Sequence, residues 1–203
     1  MPQGPETASG TVVGILALQG DFEKHRQAFA SLGRTVRLVR RSGELADCSH
    51  LVIPGGESTT LARLVDRAGL RRPLAEFAAK RPVMGTCAGL IMLGRLAGED
   101  PADHGVATLG LMDVMVQRNG YGRQVDSFTE DLSLESLDGS AEPFAAVYIR
   151  APRIAAVGSG VEVVVRRGAE PVAVRQGNLL GLTFHPELTP DTRVHRAFLQ
   201  MGA

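Results

Sequence analysis

The sequence predicts a mixed α/β fold, with a mostly parallel central sheet, helices on both faces and an antiparallel extension. In the first half of the chain, short apolar and β-branched runs alternate with segments of helical periodicity. This alternation favours a parallel sheet that is covered on both faces. In the second half, one strand-like run follows another with glycine turns between them, which is typical of antiparallel hairpins. A chain of 203 residues fits one hydrophobic core, so we predict a single domain over residues 11–203. Residues 1–10 are polar, and we predict that they form a disordered tail.

The elements of the first half follow from apolar periodicity and from turn residues. Residues 11–18 are continuously apolar, as in a strand that is buried on both faces. Asp21 can cap the next helix, in which apolar residues recur at helical spacing, and Gly33 ends it. The other predicted elements of this half are strands at 35–39, 50–53 and 82–84, and helices from residue 58, over 73–79 and over 88–96.

The second half consists mainly of predicted strands. Gly168 and the turn at residues 176–178 predict hairpins between the last three of these strands. A final helix is expected to start near Thr189-Pro190-Asp191, with threonine as the N-cap and proline at the first helical position. The predicted strands cover residues 109–117, 125–134, 144–149, 161–165, 172–175 and 179–184.

Composition argues against several classes of function. Lys plus Arg and Asp plus Glu both number 22, and no basic stripe is present, which disfavours nucleic-acid binding. No apolar run approaches the roughly 20 residues of a membrane-spanning helix, and the polar residues 1–10 do not form a secretory signal. Two cysteines, Cys48 and Cys87, provide no disulfide framework at this length. We therefore expect a cytoplasmic protein that binds neither nucleic acid nor membrane.

A cysteine between two glycines gives the strongest local signal. In residues 82–90 (PVMGTCAGL), an apolar strand leads into Gly85, Cys87 and Gly89 and then into an apolar helical pattern. This is the Gly-x-nucleophile-x-Gly spacing of a nucleophile elbow, where the tight turn leaves no room for a Cβ atom at either glycine. The backbone N–H of Ala88 could then donate to an oxyanion. Because a buried structural cysteine in a βα turn is the alternative, the hypothesis requires a base.

His185 and Glu187 supply a base and a carboxylate that orients it. His185 follows the apolar residues 179–184 and so lies at a strand end, where open α/β sheets bind ligands. Pro186 favours an extended His185, and in extended chain residues i and i+2 project to the same side. A carboxylate on one ring nitrogen leaves the other nitrogen free to accept a thiol proton. For His185 alone, the alternative is a satisfied core histidine.

The remaining histidines and the second cysteine lack such a pairing. His25, His50, His104 and His195 occupy helical or loop contexts without a comparable partner, and we predict structural roles for them. Cys48 is expected to be a small hydrophobic core residue.

Further motifs extend from residue 13 to residue 201. They are LQG at 18–20, PGGESTT at 54–60, GTCAG at 85–89, RN at 118–119, GRQVDSF at 122–128, IRAP at 149–152 and HPELT at 185–189. The cysteine elbow and the His-Pro-Glu element resemble the class I, triad-type glutamine amidotransferases. With GGESTT, GRQVDSF and IRAP, the set resembles one family in particular, the glutaminase subunit of pyridoxal 5'-phosphate synthase. Small departures are the polar extension before Thr11 and Gly120, where another small residue is expected.

The resemblance implies a flavodoxin-like amidotransferase fold and hydrolysis of L-glutamine by a Cys87, His185 and Glu187 triad. Ammonia would pass to the pyridoxal 5'-phosphate synthase subunit, and Gln19 would couple docking of that partner to the site. The resemblance also implies that neither a metal nor an organic cofactor is needed, since pyridoxal phosphate is the product of the partner. The backbone oxyanion donors that it implies are Gly56 and Ala88, and the glutamine contacts are Gly56, Glu57, Ser58, Arg118, Ile149 and Arg150.

Two other interpretations stay open at this point. A glutaminase that serves another synthase, such as the one that builds imidazole glycerol phosphate, keeps the chemistry but does not explain GRQVDSF and IRAP. A non-catalytic, redox-sensing α/β protein explains Cys87 but gives no reason for His185-Pro186-Glu187. Among the contact residues, Glu57 could instead be a first-turn helix charge, Arg118 a surface cation and Gln19 a loop amide bonded to backbone.

Overall fold

The computed structural model describes residues 11–98, 106–121 and 127–202. The strands in these ranges are β1 Val12–Leu16, β2 Thr35–Val39, β3 His50–Ile53, β4 Val83–Thr86, β5 Arg95–Leu96, β6 Val114–Gln117, β7 Ser127–Ser133, β8 Pro143–Ile149, β9 Arg153–Val157, β10 Glu162–Arg167, β11 Glu170–Gln176 and β12 Leu179–Leu182. The α-helices are α1 Phe22–Ser31, α2 Ser58–Arg67, α3 Arg71–Ala78, α4 Ala88–Leu93, α5 Glu135–Asp138 and α6 Arg193–Leu199. Short 3-10 helices cover Ser42–Leu45 and Pro186–Leu188.

A seven-stranded sheet forms the centre of the fold, in the order β10-β11-β12-β4-β3-β1-β2. The five strands from β12 to β2 in this order are parallel, and β11 and β10 extend the sheet in antiparallel fashion. The predicted mixed α/β fold is confirmed, as are the hairpins at Gly168 and at residues 176–178. Because β1, β3, β4 and β12 are parallel, their carboxyl ends meet at one edge, where α/β sheets bind ligands.

The strands of this sheet are apolar on both faces because helices cover both. In β3, Leu51 and Ile53 pack into one core cluster, which contains the buried faces of α2, α3 and α4. Val52, between them, points to the opposite face and packs in a second cluster with Phe29 of α1 and Phe198 of α6. Alternate side chains of one strand thus enter different cores, which explains why the central strands read as continuous apolar runs.

Two smaller sheets differ from the prediction. The helix predicted over residues 88–96 ends at Leu93, because Gly94 is extended (φ −86°, ψ −160°) and Arg95–Leu96 pairs with β6. β5, β6 and β9 form a three-stranded sheet, and β7 pairs with β8 in an antiparallel ribbon. β9 was not predicted, since only Ile154 of its five residues is buried and the segment therefore lacks an apolar run.

Two predicted helix caps are wrong. α6 begins at Arg193, and the hydroxyl of Thr189 accepts a hydrogen bond from the N–H of Asp191 at 3.2 Å instead of capping a helix. The Thr-Pro-Asp sequence therefore forms a turn before the helix. Asp21 makes no side-chain hydrogen bond to the start of α1, whereas Gly33 ends that helix with a φ of 70°, as predicted.

Several predicted features lie outside the described residues: the tail over residues 1–10, His104 and residues 122–126 of the GRQVDSF motif. Of the strand predicted over residues 125–134, the described part is β7. Within the described ranges, no helix is long and apolar enough to cross a membrane.

Candidate active site

Cys87 lies in a sharp turn between β4 and α4. Its φ of 49° is unusual for a residue with a side chain, and its N–H donates to the carbonyl of Leu182 at 2.9 Å. A Cβ atom on Gly89 would lie 2.0 Å from the carbonyl oxygen of Ile53, and one on Gly85 would lie 2.6 Å from the backbone of Gly89. The glycines on either side of Cys87 therefore permit the elbow that the sequence predicts. The helix that follows is short, at six residues.

His185 and Glu187 come together just after β12. Nδ1 of His185 and Oε1 of Glu187 are 2.7 Å apart, and the N–H of His185 donates to the carbonyl of Val147 at 2.8 Å. The expected contact is present, but the predicted extended conformation is wrong. Residues Pro186–Leu188 form a 3-10 turn, and this turn swings the carboxylate back onto the imidazole.

The pKa shifts of His185 and Glu187 favour the charged forms of both side chains. Burial lowers the pKa of His185, but hydrogen bonding and charge interaction with Cys87 and Glu187 outweigh burial and raise that pKa to about 10. For Glu187, burial raises the pKa, while the nearby His25 and His185 outweigh it and lower the pKa to about 2. Both shifts favour the imidazolium and the carboxylate, because each charged form is stabilised by a partner within a dry site.

An open cavity of about 380 Å³ adjoins these groups. Both Cys87 and His185 reach it, whereas the side chain of Glu187 is fully buried behind them. All six predicted glutamine contacts also line it: Gly56, Glu57, Ser58, Arg118, Ile149 and Arg150. In the described ranges, the residues other than glycine with a positive φ are Cys87, Asn119 and Arg150, and each of them lines this cavity.

Glu57 and Arg118 form one wall of the cavity. The carboxylate of Glu57 accepts hydrogen bonds from the N–H groups of Thr59 at 2.9 Å and Thr60 at 2.6 Å, so it caps α2. Burial raises the pKa of Glu57, but these hydrogen bonds outweigh it and lower the pKa to about 2. Arg118 lies 3.5 Å from the same carboxylate and its side chain is only 12% exposed. It is therefore an inward-facing cation rather than a surface one.

Gln19 contacts the turn that carries the predicted oxyanion donor Gly56. Its Oε1 accepts a hydrogen bond from the N–H of Glu57 at 3.2 Å. Gly56 has a φ of 142°, and a Cβ atom there would lie 2.6 Å from the amide of Gln19. A Cβ atom on Gly55 would lie 2.4 Å from Cε1 of His185, so the turn touches Gln19 on one side and the imidazole on the other. The other predicted donor, Ala88, is the first residue of α4 and is buried.

Residues 15–202 match the sequence model of the SNO glutamine amidotransferase family. The chain belongs to this family. A pyridoxal 5'-phosphate synthase subunit PdxT from Koribacter versatilis is 50% identical over 191 residues, which cover 93% of this chain and 94% of the relative. The PdxT subunit of Deinococcus radiodurans is 50% identical over 192 residues, or 94% and 96% of the two chains. A glutamine amidotransferase crystal structure superimposes with a TM-score of 0.85 at 43% identity, covering 93% of this chain and 97% of that one.

Beyond the predicted triad residues, this SNO-family amidotransferase buries a cluster that the sequence analysis missed. His25, to which a structural role without a comparable partner was assigned, lies with Nε2 3.4 Å from Oε2 of Glu187. Its Nδ1 is 3.1 Å from Nε2 of His195, a contact that spans 170 positions. The expectation that His25 lacks a carboxylate partner is therefore wrong, whereas the structural roles predicted for His25 and His195 stay predictions. One signal was available, because each lies on the apolar stripe of its helix, where an unpaired imidazole would be costly.

Proposed function

We propose that this amidotransferase hydrolyses L-glutamine to L-glutamate and ammonia with Cys87 as nucleophile, and that it delivers the ammonia to a pyridoxal 5'-phosphate synthase subunit. The observation that carries the proposal is the strained elbow that holds Cys87 in the same cavity as His185, with Glu187 bonded behind the imidazole. A cysteine, a histidine and a carboxylate fill the three roles that acyl transfer requires. The choice of partner is supported by relatives of about 50% identity that are named as subunits of that synthase.

The first half of the reaction forms a thioester. The thiolate of Cys87 attacks the side-chain amide carbon of glutamine, and the N–H groups of Gly56 and Ala88 stabilise the oxyanion. His185, as an imidazolium, gives its proton to the departing nitrogen, and the C–N bond breaks to release ammonia. Glu187 keeps Nδ1 of the ring protonated, so Nε2 faces the reacting atoms.

The second half regenerates the enzyme. Water attacks the γ-glutamyl thioester, neutral His185 takes one of its protons, and the C–S bond breaks to give glutamate and the Cys87 thiolate. The cavity offers groups of both signs for the amino acid backbone of the substrate. Arg118 suits the α-carboxylate because a guanidinium can donate two parallel hydrogen bonds, and Glu57 suits the α-ammonium.

Glu57 serves two purposes in this scheme. Its oxygens already accept N–H groups of α2, so its position is fixed before substrate arrives. Nearly half of its side chain, 48%, is exposed to solvent, and the residue lines the cavity, which leaves room for an ammonium group.

Partner docking would act through the 55–57 turn. A glycine pair can change peptide orientation at low steric cost, so the Gly56 donor can be correctly aimed only in one of two states. Gln19 bonds this turn directly and is the residue that we assign to relay docking. The chain alone would then be a poor glutaminase.

Ammonia release measured with and without purified synthase tests the proposal. We expect slow hydrolysis by the chain alone and a large increase with a pyridoxal 5'-phosphate synthase subunit. The matched control is the cyclase subunit of imidazole glycerol phosphate synthase, which should give no increase. Stimulation by the cyclase alone would contradict the partner, and no glutamine hydrolysis under any condition would contradict the chemistry.

A further inference from the structure

We propose that His25 is a positioning residue for the reaction, which holds the second oxygen of Glu187, and that His195 fixes the tautomer of His25. This inference rests on the proposed triad. It gives a function to the buried imidazoles of His25 and His195, which the proposed mechanism does not use.

The side chain of Glu187 is fully buried, and its Oε1 lies 2.7 Å from Nδ1 of His185. Oε2 is buried and makes no hydrogen bond within the described residues, and Nε2 of His25 lies 3.4 Å from it. The same Nε2 is 3.3 Å from the hydroxyl of Thr86, so one N–H lies between two acceptors. A buried carboxylate with only one oxygen satisfied is costly, and the imidazole of His25 is placed to donate to the second oxygen after a small shift.

The carboxylate of Glu187 determines the tautomer of His25. Nε2 of His25 must carry the ring proton, because the lone pair of an unprotonated nitrogen would be repelled by the carboxylate. In neutral His25, Nδ1 is then an acceptor, and it faces Nε2 of His195 at 3.1 Å. His195 therefore donates from Nε2 and leaves its own Nδ1 without a proton. That Nδ1 is buried and has no partner in the described part of the chain, which suits a bare nitrogen better than an N–H group.

Burial disfavours a positive charge on either outer histidine. His25 and His195 are both fully buried, and burial lowers the pKa of each, that of His195 to about 3. Glu187 and Asp21 oppose this shift at His25, whereas His185 reinforces it. Burial therefore favours the neutral form of both imidazoles, whereas the partners of His185 favour its charged form. A neutral donor orients the carboxylate without competing with the imidazolium of His185 for its charge.

The hydrogen bonds therefore converge on Glu187: His195 donates to His25, His25 faces Oε2 of Glu187 as a donor, and His185 donates to Oε1. Donors at both oxygens fix the plane of the carboxylate and keep Oε1 in line with Nδ1 of His185, which is the role that we assign to the two outer imidazoles. Packing alone does not require them. The neighbours on this face include Phe29, whose ring lies 5.0 Å from that of His195, and an apolar residue would fill the same space at lower desolvation cost.

A pair of amide substitutions separates this role from a structural one. His25→Gln places an amide N–H close to the position of Nε2 and can still donate to Glu187, whereas His25→Asn reaches only the position of Nδ1. We expect His25→Gln to keep kcat within about threefold, and His25→Asn to lose about ten- to a hundredfold in kcat with little change in KM. Glutamine hydrolysis is measured in the presence of the synthase, and thermal unfolding confirms that both variants fold. Equal kcat values for the two variants would overturn the proposal.

The control uses a histidine outside the cluster. His50 is also buried, with Nε2 3.1 Å from the carbonyl of Met201, at the opposite end of the sheet from Cys87. His50→Asn carries the same chemical change and should leave kcat unchanged. A loss as large as that of His25→Asn would show that any buried histidine has this effect and would also overturn the proposal.

A double-mutant cycle asks whether His25 acts through Glu187. In a Glu187→Gln background, His25→Asn should cost less than threefold, because the carboxylate that it serves is gone. A loss of the same size in both backgrounds would contradict the positioning role.

A last readout does not depend on glutamine turnover. The rate at which iodoacetamide alkylates Cys87, followed on the Cys87 peptide by mass spectrometry, reports the ion pair with His185. We expect His25→Asn to slow this rate about tenfold near pH 7, with His25→Gln close to wild type. If the wild type failed to hydrolyse glutamine, the proposed function would fall, while these rates would still decide the role of His25. Identical rates in all three proteins would refute it.

Discussion

Two regions of this amidotransferase place a cysteine and a histidine close to the central sheet, with opposite outcomes. At the carboxyl ends of β4 and β12, burial lowers the pKa of His185 but its partners raise it to about 10. At the start of β3, burial lowers the pKa of His50, whose ring contacts the hydroxyl of Ser49 at 3.0 Å and a carbonyl oxygen, and burial raises the pKa of the Cys48 thiol. The comparison teaches that a nearby cysteine and histidine do not by themselves raise the pKa of the imidazole. At His185, burial is outweighed by hydrogen bonds and charge interactions with Cys87 and Glu187, and His50 has no carboxylate partner among the described residues.

Substituting each cysteine gives the largest difference between the two regions. Cys87→Ala should reduce glutamine hydrolysis by more than about a hundredfold, because no covalent intermediate can form, and should fold normally. Cys48→Ala should leave kcat unchanged and lower the free energy of unfolding by about 1 kcal/mol, since Cys48 packs against Gly14 in the core. Ammonia release and urea unfolding measure the two effects. Labelling of Cys48 rather than Cys87 by a diazo-ketone glutamine analogue would reverse the assignment.

The base and its carboxylate should differ in size of effect. His185→Ala removes the group that carries the proton, whereas Glu187→Gln removes only the group that sets tautomer and geometry. We therefore expect Glu187→Gln to lose roughly ten- to a hundredfold less in kcat than His185→Ala. Single-turnover hydrolysis with the synthase present measures both, with circular dichroism as the check on folding. Equal losses would mean that Glu187 takes a more direct part in the reaction.

A substitution near the 55–57 turn should change the response of kcat to the synthase, and a substitution near His50 should not. Gln19→Ala removes the hydrogen bond to the 55–57 turn and should reduce the stimulation of kcat by the synthase about fivefold. Ser49→Ala, next to His50, removes a comparable hydrogen bond from Oγ to the carbonyl of Val12 and should leave the stimulation unchanged. The ratio of kcat with and without synthase is the measurement. An unaltered ratio in Gln19→Ala would remove that residue from the relay.

Stability should respond to pH with opposite signs in the two regions. The raised pKa of His185 contributes stability that is complete below about pH 6.5 and is lost as the pH rises toward 10. The lowered pKa of His50 contributes stability that is present above about pH 6.5 and is lost as the pH falls below that value. Each slope can reach about 1.4 kcal/mol per pH unit.

Urea unfolding between pH 5 and pH 10 measures these slopes. We expect His185→Ala to flatten the alkaline limb and His50→Leu to flatten the region just below pH 6.5. A change in the same limb for both variants would break the comparison.

Local patterns predicted the fold and the central part of the site. The alternation of strands and helices gave the parallel sheet, and the short sequences around Cys87 and His185 gave the turn and the contact with Glu187. Each of these depends on residues a few positions apart. The chain from His185 to Glu187 was expected to be extended, but Pro186–Leu188 forms a 3-10 turn, which also brings the side chains of residues 185 and 187 together.

The parts that the sequence did not predict depend on distant pairings. His25 and His195 lie 170 positions apart, and nothing in either helix indicates the other. The strand β9 was not predicted because it has no apolar run; it is a strand because it pairs with β6. For Arg118, the residue pattern alone left a surface cation as the alternative, and only the family resemblance indicated a cavity residue; in the structure, its contact with Thr59 of α2 directs it toward the cavity.

The positive φ angles at Cys87, Asn119 and Arg150 bear on how this protein could be engineered. A residue other than glycine in such a conformation costs about 1–3 kcal/mol, and all three line the cavity. A screen for heat resistance would therefore favour glycine at Asn119 or Arg150, because glycine adopts a positive φ without strain and would raise the free energy of unfolding. Those substitutions would make the backbone of the cavity wall more flexible. Designers who want a hardier catalyst should leave these positions untouched and seek their improvements on the far side of the sheet.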